Sequence, residues 1–226
     1  MSFFMVKQLA WGISVLFHPL LMPCYMLVLL MLINPYLFGI SSLAEPEGHR
    51  LILLIFLYTF FIPAVSITVM YFLGMLQSIS MPEKQERIGP YLITGMLYIW
   101  IFYNLYKNGQ APMAYTGLML GTVIGLFLAF LVNIFSKISV HAVGMGGLVG
   151  MVFISMLFFS YGTFTVDMPG GGSYEVSVVL LWMLSILLAG MVGSSRLLLK
   201  AHEQADVYGG YAVGFIAQVA AFRILF

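Results

Sequence analysis

From Gln8 to Ala44, and again from Leu51 to Pro82, the chain carries no Asp, Glu, Lys or Arg. Few soluble folds can accommodate such runs, whereas a bilayer core about 30 Å thick calls for roughly 20 predominantly apolar residues per helical crossing. Inside hydrocarbon the backbone has to satisfy its own hydrogen bonds, which favours helices packed on one another. Composition agrees: 62% of residues are hydrophobic and 8% charged, against about 25% charged in an ordinary soluble domain. The expected fold is therefore all-α, a polytopic transmembrane helical bundle of six or seven spans forming one integral membrane domain over residues 1–226. A net charge of +1 gives no electrostatic footprint for a nucleic-acid partner. The single Cys24 cannot close an internal disulfide and reads as a packing residue. The first apolar run outlasts a signal-peptide core and lacks a small-residue cleavage site, so it is expected to stay.

In chain order, residues 1–17 read as an interfacial or tilted helix with Trp11 near the headgroups. His18, Pro19 and Pro23 interrupt it, and His18 reads as a hydrogen-bonded structural histidine at a proline break. A span follows Pro23, then the polar loop Ser41 to Arg50, then the run from Leu51 to Pro82 with a kink expected at Pro63. Further crossings are expected at Tyr91 to Tyr106 (a short one), Met113 to Ser136, Ala142 to Thr163, Val176 to Ser194 and Val207 to Phe226. The connector TFTVDMPGGGSYE reads as irregular. Glycines 144, 146, 147 and 150, and the pair Gly210 and Gly214, have the small-residue spacing that lets membrane helices approach closely.

Polarity is concentrated in three islands. Glu83 to Tyr91 (EKQERIGPY) holds Lys84 and Arg87; Lys137, Ser139 and His141 precede a glycine-rich span; and Gly193 to Gly214 (GSSRLLLKAHEQADVYGGYAVG) holds Ser195, Arg196, His202, Glu203 and Asp206. Two crossings separate the first island from the second, and two separate the second from the third. Even numbers bring all three to one membrane face. With a helix beginning near Ala201, His202 and Asp206 would share a face four residues apart, and the carboxylate would hold the imidazole in one tautomer.

The third island, with Ser195, Arg196, five residues, His202, three residues and Asp206, resembles the third signature of the type 2 phosphatidic acid phosphatase superfamily. Ser139 and His141 are similar to that family's second signature without its Pro and Gly. Lys84, Arg87 and Pro90 keep the residue types of the first with altered spacing. The resemblance implies a catalytic region at about 83–214 in a membrane lipid phosphatase. It implies His202 as nucleophile, Asp206 orienting it, His141 as acid and base, and Lys84, Arg87, Ser139, Ser195 and Arg196 binding phosphate. It also implies no metal or other cofactor and a lipid phosphate substrate such as a polyprenyl phosphate or diphosphate, phosphatidate, phosphatidylglycerophosphate or lipid A. The expected location is a bacterial inner membrane, with the site on its extracytoplasmic face. Two other readings fit the same islands. A metal-dependent hydrolase would use His141, His202, Glu203 and Asp206 as ligands, and a lipid-binding or transport protein would use the polar clusters without turnover.

Overall fold

A computed structural model describes residues 3–43, 45–168 and 171–226. Its helices are α1 (Phe3–Leu16), α2 (Met22–Ile33), α3 (Pro46–Phe56), α4 (Ile62–Phe72), α5 (Ile88–Asn108), α6 (Met113–Phe135), α7 (Val140–Phe158), α8 (Val178–Leu198) and α9 (Gln204–Leu225). A single π turn, Leu57–Phe61, joins α3 to α4 in one continuous span, so Pro63 lies inside it, and Thr59 O, four residues back, accepts instead from Tyr98 Oη at 3.1 Å. Among the described residues, seven segments are long and apolar enough to cross a membrane. The protein is an integral membrane helical bundle, as the uncharged runs predict.

The first of these segments is broken. His18 has φ −65° and ψ 135°, the extended conformation forced on a residue before proline, and a 3-10 turn at Pro19–Leu21 leads into α2. The break frees α1 to lie along the last turns of α8, where Val6, Ala10 and Ile13 face Gly190, Met191 and Ser194 across a groove of about 600 Å³. Outside that groove α1 exposes Phe4 and Trp11, which suits contact with lipid.

Helix α7 is the axis of the bundle: 61% of its span is buried, more than in any other of the seven. Its contact with α9 is close enough to exclude side chains. A Cβ on Gly210 would stand 2.7 Å from Ala142 Cβ and 2.8 Å from Ser139 O. One on Gly214 would run into the Val143 carbonyl, and one on Gly146 into the backbone of Tyr211. Where backbones meet at this range, packing and dispersion replace the hydrophobic effect that lipid cannot supply. The small-residue spacing read from the sequence thus corresponds to a real seam.

Connectivity around the axis fixes the ends. Helices α5 and α6 go out and back, as do α7 and α8, so the segments before α5, before α7 and after α8 share one end. At the opposite end Asn34 Nδ2 donates to Phe159 O at 3.0 Å. There the connector expected to be irregular is instead a β-hairpin: β1 (Thr163–Met168) pairs antiparallel with β2 (Gly172–Ser177), Thr163 opposite Ser177. Its β-branched and aromatic residues favour a pleated ladder even without a core, and Thr163 Oγ1 donates to Glu175 Oε1 at 2.6 Å. Pro169 and Gly170 of that connector lie outside the described residues, as does Ala44 of the Ser41 to Arg50 loop.

The helix boundaries are near those expected, with two useful differences. The short span is a full helix of 21 residues, Ile88–Asn108, which removes the weak link in the crossing count. Helix α9 starts at Gln204 rather than Ala201, with Glu203 as its N-cap.

Replacing Gly214 with Ala is expected to destabilise the bundle by about 1–3 kcal/mol through overpacking against the Val143 carbonyl. Gly209→Ala, whose Cβ meets nothing within 4 Å, is expected to leave the melting midpoint in detergent unchanged or raised. Equal midpoints for the two variants would remove the seam from the list of structural constraints.

Candidate anion site at one end of the bundle

The three polar islands meet. Arg87, the residue just before α5, donates from Nη1 to Ile138 O at 3.2 Å and from Nε to Met81 O at 3.1 Å. Ser139 N–H donates to Asp206 O at 3.2 Å, and a ring nitrogen of His202 lies 3.3 Å from Lys137 O. Asn133, buried near the end of α6, donates to Lys84 O at 3.0 Å and so ties the first island to the helix that precedes the second. These backbone contacts hold the islands at a single site, where the starts of α5, α7 and α9 meet the end of α8.

Histidine tautomers follow from the partners, because a carbonyl only accepts and a backbone N–H only donates. His202 Nδ1 faces Lys137 O and also lies 3.4 Å from Asp206 Oδ2. It therefore carries the hydrogen, and Nε2 keeps its lone pair. His141 Nε2 lies 3.1 Å from Ser14 O, so Nε2 is the donor and Nδ1 keeps the lone pair. His18 Nδ1 accepts from Leu20 N–H at 3.3 Å, which leaves the hydrogen on Nε2. The ring of His18 stands edge-on to that of His141, with centroids 5.7 Å apart at 81°.

The His202 and Asp206 pairing does not arise from a shared helix face. His202 sits in the turn between α8 and α9, and Asp206 is the third residue of α9. The Asp206 carboxylate accepts from Glu203 N–H at 3.1 Å in a capping box. From that fixed position it also reaches the imidazole. Helix capping thus does the orienting that an i, i+4 helical pair would otherwise have done.

Arg196 differs from the others. It lies in the last turn of α8, where a cation suits the helix dipole, yet its Nε is buried without a hydrogen-bond partner. The described residues place no carboxylate in ion-pair range of either Arg196 or Arg87; their one ion pair is His202 with Asp206. Arg87 is only 8% exposed, and the two guanidinium groups are close enough to repel each other. Arg196 is also within electrostatic reach of His18, His141 and His202.

The remaining residues expected to bind phosphate each make one contact within the scaffold. Lys84 Nζ donates to Phe135 O at 3.1 Å, capping the end of α6. Ser139 Oγ accepts from Ala142 N–H at 3.4 Å as the N-cap of α7, and its residue is fully buried. Ser195 Oγ donates to Met191 O at 2.8 Å within α8. The four-residue metal-ligand set of His141, His202, Glu203 and Asp206 is not assembled: among the described residues no group of three or more His, Cys, Asp or Glu side chains is placed to hold a metal ion.

Two opposing influences act on His202. Asp206 and the Lys137 carbonyl favour its cation. Burial opposes it most strongly, followed by the positive fields of Arg87 and Arg196, and together these push its pKa down to about 4. Desolvation and like charge outweigh one carboxylate at 3.4 Å. The imidazole is therefore neutral, with a free lone pair, at neutral pH.

Fold and site together define an integral membrane protein that gathers two arginines and three histidines at one end of its bundle. No family model, curated protein or solved structure matches the chain.

In spectra of the ¹⁵N-histidine-labelled protein, the His202 resonance is expected to titrate near pH 4. Because the folded value lies below that of the free side chain, its contribution to stability is complete above about pH 6.5 and is lost as pH falls towards 4. Titration of His202 at or above pH 6.5 would mean that Asp206, not burial, dominates.

Proposed function

We propose that the protein is a membrane-embedded lipid phosphatase that uses His202 as nucleophile. The observation that carries this reading is the pair formed by the buried Arg87 and the half-buried Arg196, neither within ion-pair distance of a carboxylate among the described residues. Leaving cations buried and unpaired costs several kcal/mol or more, and an anionic ligand removes that cost. Helices α5, α7 and α9 all begin at this end, so the positive ends of three helix dipoles add to the attraction. A phosphoryl group fits best because guanidinium donors match its oxygens two at a time. The arrangement of Ser195, Arg196, His202 and Asp206, which resembles the third signature of the type 2 phosphatidic acid phosphatases, points the same way.

The residues divide the chemistry between them. Arg196 and the free donors of Arg87 hold the non-bridging oxygens and offset charge in the transition state. The His202 Nε2 lone pair attacks phosphorus while Asp206 and Lys137 O stabilise the cation forming on the ring. As the N–P bond forms, the bond from phosphorus to the lipid oxygen breaks, and His141, protonated at Nδ1 in the anion-bound site, gives that oxygen its proton. Water then attacks the phosphohistidine, His141 takes up a proton from it, and inorganic phosphate leaves with the imidazole restored. A substrate whose hydrocarbon tails stay in the bilayer presents its phosphate at the depth of this site. Polyprenyl phosphates or diphosphates, phosphatidate, phosphatidylglycerophosphate and lipid A phosphates share that geometry. Among them we place the site on the extracytoplasmic face of a bacterial inner membrane, by the same resemblance.

Purified protein in nanodiscs is expected to release phosphate from such lipids in the presence of a metal chelator. His202→Ala is expected to abolish release, Arg196→Ala to lower it about 10²-fold or more, and both to leave the melting midpoint within a few degrees of wild type. An acid-labile, base-stable phosphoryl adduct on His202 should be trapped in rapid-quench experiments. Undiminished release by His202→Ala, or release abolished by the chelator, would overturn the mechanism; saturable lipid binding without any release would favour a carrier.

A further inference from the structure

Capping the 3-10 turn uses only one ring nitrogen of His18. Its Nδ1 accepts from Leu20 N–H at 3.3 Å, so in the neutral ring Nε2 bears the hydrogen, and that N–H has no acceptor among the described residues. On one side the ring meets Phe60, centroids 6.4 Å apart, which offers nothing to a donor. On the other it meets His141 edge-on at 5.7 Å. Arg196, whose Nε is buried without a partner, is within electrostatic reach. Two donors that no described residue uses, a half-buried one on His18 and a buried one on Arg196, therefore gather beside the His141 ring.

The placement is built rather than incidental. Pro19 forces His18 out of helical geometry, and the resulting break sets α1 back against α8, so that Ser14 O holds His141. Pro19 and Met22 pack against Gly144 on α7, where a Cβ would come within 2.8 Å of Met22 Cγ. One glycine thus lets the broken helix approach closely enough to put His18 beside His141. A histidine needed only to cap a turn does not require that approach.

We propose that His18 is a phosphoryl-binding residue of the site, its Nε2–H donating to a non-bridging oxygen of the phosphate held by Arg196. The inference rests on the phosphatase reading and extends it to a residue on the N-terminal segment, outside the three polar islands. With His18 in place, the anion is gripped from the start of α5, from α8 and from the α1 to α2 break, which leaves His202 Nε2 free for attack and His141 Nδ1 free for proton transfer. His18 takes no part in bond making.

Two substitutions separate the cap from the donor. The Asn Oδ1 falls where His18 Nδ1 lies and can keep the cap; the Gln amide nitrogen extends to the position of Nε2 and can keep the donor. Wild type, His18→Asn and His18→Gln are each titrated in nanodiscs with inorganic phosphate, and bound anion is followed by ³¹P spectroscopy and by the His18 ¹⁵N resonance. We expect the Nε2 resonance to move on phosphate addition, His18→Asn to melt near wild type but bind phosphate about tenfold or more weakly, and His18→Gln to bind within a few-fold of wild type despite a lower melting midpoint. Affinity that follows the cap instead, with Asn like wild type and Gln weak, would overturn the role of His18 while leaving the phosphatase reading standing. Absence of any phosphate binding by wild type would overturn both.

Discussion

Backbone contact between α7 and α9 sets the rest of the structure. With Gly210 and Gly214 against Ala142 and Val143, the start of α9 is brought beside the start of α7, and Ser139 N–H reaches Asp206 O. The capping box at Glu203 and Asp206 then fixes where the carboxylate stands, and the turn before it delivers His202 to Lys137 O. A methyl group in this seam would separate the two helix ends and carry His202 away from the second island. Packing and chemistry are therefore linked through residues that have no side chain.

What this geometry assembles is electrostatically incomplete. Arg87 spends two of its donors on backbone carbonyls, and the carboxylates of Asp206 and Glu86 act on it only from beyond ion-pair distance. Arg196 spends none on the described residues. Like charges near one another in a poorly hydrated pocket oppose folding unless something compensates, and the converging helix N-termini make the local potential more positive still. His202 stays neutral there chiefly because it is buried, and the cations that would attract a phosphate add to that effect.

Much of the fold was legible because hydrocarbon imposes a simple rule on composition. Long uncharged runs have few fates, and the even number of crossings between Arg87, His141 and Arg196 followed from counting them. Glycine spacing likewise marked the α7 and α9 seam. Other features depend on contacts that periodicity does not report. His18 was read as a structural histidine at a proline break, and its Nδ1 does cap the turn; its position beside His141 depends on how far the break folds α1 back, which nothing local encodes. The link between His202 and Asp206 was expected from a helical pair and arises instead from a cap, because Glu203 competes successfully for the helix start. Ser139, Ser195 and Lys84 also each make a contact at the ends of α7, α8 and α6 that their residue types alone do not announce. The hairpin between α7 and α8 was obscured by its glycines, which mark a turn as readily as an unstructured loop.

The unneutralised arginine pair is most directly tested by the melting midpoint of the protein in nanodiscs as inorganic phosphate is raised, measured beside Arg196→Met at the same ionic strength. Ligand bound only by the folded state raises stability with the logarithm of its concentration above Kd. A saturable rise in wild type that is lost in Arg196→Met is the expected result. A midpoint indifferent to phosphate in wild type, or the same response in both proteins, would contradict an anion site at this end of the bundle.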